Sequence, residues 1–301
     1  MKDFWVRFVS SVTLALLTVA VVWVGVYALL AFMFLVSLIG YYELIRAAGL
    51  RTGGKMRNDS NDGDSGGGDG GSGLTEPVNK IGPLELTGLL AVLVYYLAFA
   101  YFGDWGWTLL VLLALLIVFL SIYALTFPRY RLSQIAEAFA FFLYGPVMLS
   151  CIAPARGMTY GFHIVVLIFI SSWVCDVFAY CVGILFGRHK LAPTLSPNKS
   201  IEGALAGVVG AAAAGAIYGS LLARYLPAEQ ELALVFAVIC AVGAVIAQMG
   251  DLVASAIKRG YDIKDFGRLI PGHGGVIDRF DSVIFTTPVI FALAALMLGN
   301  P

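Results

Sequence analysis

The densest concentration of reactive side chains in this 301-residue sequence runs from Ser255 to Asp281, SAIKRGYDIKDFGRLIPGHGGVIDRFD. Lys258, Arg259, Lys264, Arg268 and Arg279 stand there with Asp262, Asp265, Asp278, Asp281 and His273, around the turn Pro271-Gly272-His273-Gly274-Gly275. Glycines let backbone N–H groups approach a polyphosphate closely. Basic residues neutralise its charge, and carboxylates hold the divalent metal that accompanies nucleoside triphosphates. Asp278 and Asp281 lie three apart at the start of an apolar run, so on a helix they face roughly the same way. The alternative is a solvated face that obeys the positive-inside rule, which accounts for the Lys and Arg but not for the Asp and Gly. His273 is by residue type as suited to a structural hydrogen bond as to catalysis.

Two further carboxylates stand inside apolar runs, where an ionisable group is costly and marks a functional site by default. Asp176 belongs to WVCDVFAYCVGILFG, in which Ser172, Asp176, Tyr180 and Gly183 recur at helical spacing and predict one polar or small face. Asp251 belongs to a second such stripe with Gln248, Ser255 and Lys258. Plain packing through hydrogen bonds between helices is the competing reading for both. Between them, Gly187 to Gly203 reads GRHKLAPTLSPNKSIEG and leads into a helix start. Helix N-termini bind anions through free N–H groups, and Ser196, Lys199 and Ser200 add donors and charge, although Ser followed by Glu202 is also an ordinary cap.

The elements that position these groups follow from hydropathy. Apolar residues make up 60% of the chain, charged ones 13%, and mean hydropathy is +0.88, which places the chain in a bilayer. A helix needs about 20 apolar residues to cross about 30 Å of hydrocarbon. The run from about residue 8 to 46 therefore predicts two spans, broken near Trp23 to Val26. Further spans are expected at 84–102, 105–125, 134–154, 161–187, 201–222, 231–257 and 279–298. The expectation is an all-α polytopic membrane protein of nine helices with the N-terminus cytoplasmic. Under that topology 17 of the 19 Lys and Arg fall on the cytoplasmic side, leaving only Arg156 and Arg224 outside. Lys plus Arg equals Asp plus Glu at 19 each, and no nucleic-acid partner is expected.

This divides the chain into N-terminal helices (1–50), a linker (51–82), middle helices (83–160) and a catalytic membrane region (161–301). Within the linker, NDSNDGDSGGGDGGSG at 58–73 has nothing apolar to bury and predicts a flexible segment. A calcium-binding nonapeptide array would need stacked turns that this stretch lacks. The four cysteines show no CxxC spacing, which leaves them as packing residues.

The pattern S-x-x-K-R-x-x-x-x-K-D-F-x-x-x-x-P-G-H-G-G-x-x-D-R-x-D from Ser255 to Asp281 resembles the signature of the phosphatidate cytidylyltransferase family. Phe186-Gly187-Arg188-His189-Lys190-Leu191, Ser196-Pro197-Asn198-Lys199-Ser200-Ile201-Glu202-Gly203 and Gly250-Asp251 are similar to it too, while the first half agrees only in hydrophobicity and a Tyr42-Glu43-Leu44. Where the family commonly has Lys-Thr-Trp-Glu-Gly, this chain has Ser200 and Ile201, which keeps the hydroxyl and loses the aromatic ring.

The resemblance implies a homodimeric enzyme of the bacterial inner membrane, active at the cytoplasmic face. CTP and phosphatidate would be its substrates and membrane lipid its surroundings. Mg²⁺ is the implied cofactor, with a second, monovalent cation as a further implication. Asp251, Asp278 and Asp281 would hold metal, with Lys258 and Arg259 also in catalytic roles. Asp176, Ser196, Lys199, Ser200, Glu202, Lys264, Asp265, His273 and Arg279 would bind substrate. Two other readings stay open: a CTP-dependent lipid kinase, which must deprotonate an alcohol, and a cation-coupled transporter, against which stand the clustering of charge at one membrane face and the lack of paired broken helices.

Overall fold

The computed structural model describes residues 13–14, 16–50, 81–103, 105–225, 231–267, 269–270 and 274–299. Among these, eight helices are long and apolar enough to cross a membrane. They are α1 (Val26–Ala47), α2 (Pro83–Phe102), α3 (Trp105–Thr126), α4 (Leu132–Gly157), α5 (Gly161–Phe186), α6 (Ile201–Leu222), α7 (Leu232–Gly260) and α8 (Ile277–Leu298). The architecture is that of an all-α polytopic membrane protein. Most of the expected first span and the Gly/Asp linker lie outside the described residues. Residues 16–24 are helical, and the chain breaks at Gly25, whose φ of 137° a side chain would disfavour, inside the window where hydropathy predicted a break.

Aromatic side chains fill the core: Tyr41, Tyr95, Phe119, Phe142, Phe236 and Phe280 are all below 2% exposed. Lipid tails are as apolar as these side chains, so buried hydrogen bonds help to specify how the helices pair. Ser37 of α1 and Tyr96 of α2 share one at 2.7 Å, and Tyr95 of α2 meets Ser150 of α4 at 2.9 Å. α4 contains a π turn, Leu143–Val147, at Pro146. Proline cannot donate into the helix ladder, and Tyr96 Oη donates to the Pro146 carbonyl at 3.2 Å.

α6 is held close to two neighbours by glycine. A Cβ on Gly203, Gly207 or Gly210 would strike Ala179, Cys175 or Phe178 of α5, and one on Gly215 or Gly219 would strike Cys240 or Leu232 of α7. Small residues thus let backbones approach as in other membrane helix pairs. Cys151, Cys175 and Cys240 are buried, but Cys181 is exposed, contrary to the packing role expected of it.

Two features differ from expectation. α5 carries a second π turn, Ile170–Val174, which divides the predicted polar face: Ser172 is buried and bonds Thr286 of α8 at 3.1 Å, whereas Asp176 is exposed. The segment after α5 is also not a plain loop. Lys190–Ala192 (β1) and Ser196–Ser200 (β2) pair antiparallel, Lys190 opposite Ser200 and Ala192 opposite Ser196.

Candidate active site

The β1–β2 hairpin packs beside α5 and α6 and places Lys199 against Asp251 of α7, the ammonium in direct ion-pair contact with Oδ2. A cavity of about 320 Å³ opens beside this pair, lined by Asp176, Tyr180, Asn198, Ser200 and Gln248 among others. Gln248 fastens its wall, with Nε2 donating to the Ala204 carbonyl at 3.0 Å and to Cys175 Sγ at 3.3 Å, so α7 is tied to α6 and α5 together. Ser200 is the N-cap of α6, accepting the Gly203 N–H at 3.1 Å. A second cavity, of about 210 Å³, is lined by Thr18, Val22, Phe162 and Trp173 among others and contains no charged side chain.

A second lysine and aspartate form the deeper half of the site. α7 runs one turn beyond its predicted end, so Lys258 and Arg259 stand on its last turn, and α8 begins early enough to carry both Asp278 and Asp281. Lys258 Nζ donates to Asp278 Oδ1 at 2.9 Å and lies 5.5 Å from the centre of the Phe266 ring. Asp278 Oδ2 accepts the N–H of Phe266 at 2.9 Å and that of Gly275 at 3.0 Å. The side chain of Asp278 is 2% exposed and that of Lys258 14%, against 27% and 25% for Asp251 and Lys199. One pair is buried in the loop and the other faces the cavity.

Next to Asp278 in the loop is a carboxylate from the opposite end of the chain. Glu43 of α1, 5% exposed, accepts the N–H of Val276 on Oε1 at 3.0 Å and that of Ile277 on Oε2 at 3.1 Å. A Cβ on Gly267 or Gly275 would collide with this carboxylate. The loop glycines were expected to bring N–H groups up to a polyphosphate. Instead the N–H groups of Phe266, Gly275, Val276 and Ile277 are all bound by Asp278 and Glu43, and Gly267 and Gly275 are needed to admit Glu43. Gly274, with φ of 87°, accepts the Ile270 N–H through its carbonyl at 3.0 Å and pinches the loop closed.

The remaining charges converge electrostatically. Asp176 interacts with Asp251, Lys199 and Arg279, and Asp281 with Asp251, Lys258 and Asp176. Asp281 is buried and accepts the Ser282 N–H at 2.8 Å. Carboxylate oxygens are hard donors that suit Mg²⁺. No three Asp, Glu, His or Cys side chains among the described residues close into a preformed cage. Mg²⁺ does not need one, since it usually takes one or two protein carboxylates and completes its shell with water and substrate phosphates. The donor set fits an ion that arrives with a phosphate-bearing ligand.

Other predicted residues are placed elsewhere. Glu202 accepts the backbone N–H groups of Arg188 and His189 at 3.2 and 3.3 Å and meets His189 Nδ1 at 2.6 Å, closing the root of the hairpin. Ser196 pairs with Ala192 at the far end of the hairpin. Arg259, Lys264 and Asp265 are exposed, and Arg259 reaches the Ile263 carbonyl at 3.5 Å. His273 and Arg268 lie outside the described residues. Glu43 was missed as a site residue, although a lone carboxylate in an apolar run is the same signal that singled out Asp176.

A family model described as "Cytidylyltransferase family" matches residues 75–297. Among curated proteins the chain is similar to phosphatidate cytidylyltransferase of Bacillus subtilis, 43% identical over 140 residues, 46% of this chain and 49% of that protein. It is 38% identical to that of Staphylococcus saprophyticus over 130 residues, 43% of this chain and 48% of that protein. The corresponding Thermotoga maritima protein is 33% identical over 171 residues, 56% of this chain and 63% of that protein. The chain thus spans about half the length of the first two relatives that it matches.

Proposed function

The chain belongs to the cytidylyltransferase family, and on that premise we propose that it transfers the cytidylyl group of CTP to phosphatidate, releasing pyrophosphate and forming CDP-diacylglycerol. The observation that carries this reading is the pair of lysine–aspartate contacts, Lys199–Asp251 and Lys258–Asp278, brought to one membrane end by the two segments that resemble the family signature. The names of the bacterial relatives support the choice of phosphatidate.

In this reaction a phosphate oxygen of phosphatidate attacks the α-phosphorus of CTP. The bond from that phosphorus to the bridging oxygen breaks, and the electron pair leaves with pyrophosphate. Such a displacement needs positioning and charge neutralisation more than proton transfer. Phosphatidate is already an anion, so no strong base is required, and His273 has a donor or turn role instead. Lys199, Lys258 and Arg279 are the cations nearest the four carboxylates, and each is suited to contact phosphate once its carboxylate takes up another cation. Arg259 and Lys264, both exposed, are suited to the first encounter with the triphosphate.

Mg²⁺ would be held by Asp251 and Asp281, with Asp278 joining at the expense of its contact to Lys258. When bound, the ion would neutralise the triphosphate and the departing pyrophosphate. CTP arrives from the cytoplasm under the predicted topology, and phosphatidate enters sideways past Tyr180 and Asp176, both exposed beside the apolar Val177 and Ile184 of α5. A homodimer in the bacterial inner membrane completes the reading.

The test is an assay of the purified protein in detergent micelles with labelled CTP, phosphatidate and Mg²⁺, beside Asp251→Asn. Phosphatidate-dependent pyrophosphate and CDP-lipid, lost in the variant, are expected. CDP release on adding a polyprenol would identify a kinase, and no turnover with any acceptor would favour a transporter.

A further inference from the structure

Tyr144 stands in the π turn Leu143–Val147 of α4, 8% exposed, and its hydroxyl has no hydrogen-bond partner. Buried polar groups are almost always bonded, and an orphaned hydroxyl is destabilising on its own. Such a group is suited to take a partner from outside the chain, a water or a water-bearing ion. Tyr41, Tyr130 and Ser171 also have buried oxygens without a partner. Tyr144 differs from them in its surroundings.

The Tyr144 ring meets Phe285 of α8 edge-on, with centroids 5.9 Å apart. Phe285 in turn packs against Gly250, which also touches the Asp281 carbonyl, so α7 and α8 meet immediately before Asp251. Asp281, Asp251 and Asp278 are near enough to act electrostatically on the Tyr144 hydroxyl. These are the three carboxylates assigned above to metal. The hydroxyl therefore belongs to the wall of the acidic cluster, yet bonds to none of its members.

We infer that the Tyr144 hydroxyl is an outer-shell partner of the cation held by Asp251 and Asp281, hydrogen-bonded to the ion's water or to a ligating carboxylate oxygen once the ion is present. The inference rests on the metal assignment of the preceding subsection. A hydroxyl can donate or accept, so it serves either a coordinated water or a carboxylate whose charge the ion has offset. The π turn supplies the geometry, since π turns inside α-helices recur at functional sites. The sequence alone offers no signal for this residue, because an uncharged tyrosine in a membrane helix looks like packing.

The experiment compares Tyr144→Phe, which removes only the hydroxyl, with the unmodified protein. Mn²⁺ serves as the probe, its binding read by electron paramagnetic resonance in detergent without nucleotide, with thermal unfolding followed in chelator and in Mn²⁺. Outer-shell partners typically change metal affinity by about 10- to 100-fold, and a weakening of that order is expected. In chelator the variant should melt at the same temperature or higher, because an unpaired hydroxyl has been removed, and it should gain less from Mn²⁺. Unchanged Mn²⁺ affinity overturns the inference, and so does a melting temperature lowered equally with and without the ion, which would indicate a packing role. If the parent chain binds Mn²⁺ but does not turn over CTP and phosphatidate, the reaction assignment fails while the tyrosine is still judged by the binding data.

Discussion

Glu43 accepts the backbone N–H of Ile277 at 3.1 Å, the residue immediately before Asp278, across 234 positions of sequence. With Val276 bound to its other oxygen, Glu43 supplies the acceptors for two N–H groups at the start of α8, so those two are not free to bind phosphate. Glu43 also lies outside the residues matched by the family model, so a helix beyond that match helps set the position of Asp278. Glu43→Ala leaves two buried N–H groups unpaired, at about 1–3 kcal/mol each. A clear fall in melting temperature is expected, with kcat reduced more than the KM for CTP is raised. Glu43→Gln keeps one acceptor and should recover part of both. A Glu43→Ala protein with parental stability and turnover would remove Glu43 from the loop's support.

The two lysine–aspartate pairs should respond differently to the same substitution. Lys258→Met strands Asp278, whose side chain is 2% exposed, and breaking a buried pair on one side costs about 3–5 kcal/mol. Lys199→Met leaves Asp251 at 27% exposure beside the open cavity, where a pair contributes about 0–1 kcal/mol. Denaturant unfolding in a fixed detergent should therefore separate the variants. Both should raise the KM for CTP. Equal stability losses would mean that the cavity is closed in solution or that the Lys258 pair is wetter than described.

Much of this architecture was legible because a bilayer allows few solutions. Seven spans predicted by length and hydropathy, from residues 84–102 onward, match α2 to α8 to within a few residues at most ends. The π turns were not legible. The one at Ile170–Val174 turns Ser172 toward Thr286 and away from the face of Asp176, and the sequence carries only an unbroken apolar helix there. Asp251, Asp278, Lys199 and Lys258 were each named in advance, but the partners of the lysines depend on a hairpin and on one extra turn of α7, which are tertiary outcomes. Glycine was assigned a phosphate-binding role where Gly267 and Gly275 instead clear space for Glu43. Glycine reports that something approaches closely; it does not say what.

The glycine face of α6 offers a test of how the cavity is built. A Cβ on Gly207 would come within 2.8 Å of Cys175 Sγ and 2.9 Å of the Cys175 carbonyl, so Gly207→Val must push α6 from α5. Overpacking of this kind costs about 1–3 kcal/mol. Because α6 begins at Ser200 beside the cavity, the displacement should also weaken nucleotide binding, measured by equilibrium dialysis with labelled CTP. Ala213, exposed and outside that glycine row on the same helix, gives a control: Ala213→Val should leave binding as it was.

Asp278 and Asp251 are both expected to be essential, but for separable reasons. Asp278 accepts three hydrogen bonds, from Lys258 Nζ and the N–H groups of Phe266 and Gly275. An asparagine there presents an amide in place of one acceptor oxygen, so Asp278→Asn cannot satisfy all three donors whichever way it turns. Asp251 makes its ion pair at the cavity, and Asp251→Asn loses little besides charge. Hydrogen exchange at Phe266 and Gly275 should accelerate in Asp278→Asn and stay at the parental rate in Asp251→Asn, while both lose turnover. Parental protection in Asp278→Asn would assign its inactivity to the missing charge alone and make the loop's order depend on Glu43. Faster exchange in both would show that the two aspartates share a single structural network and that neither substitution isolates a metal ligand.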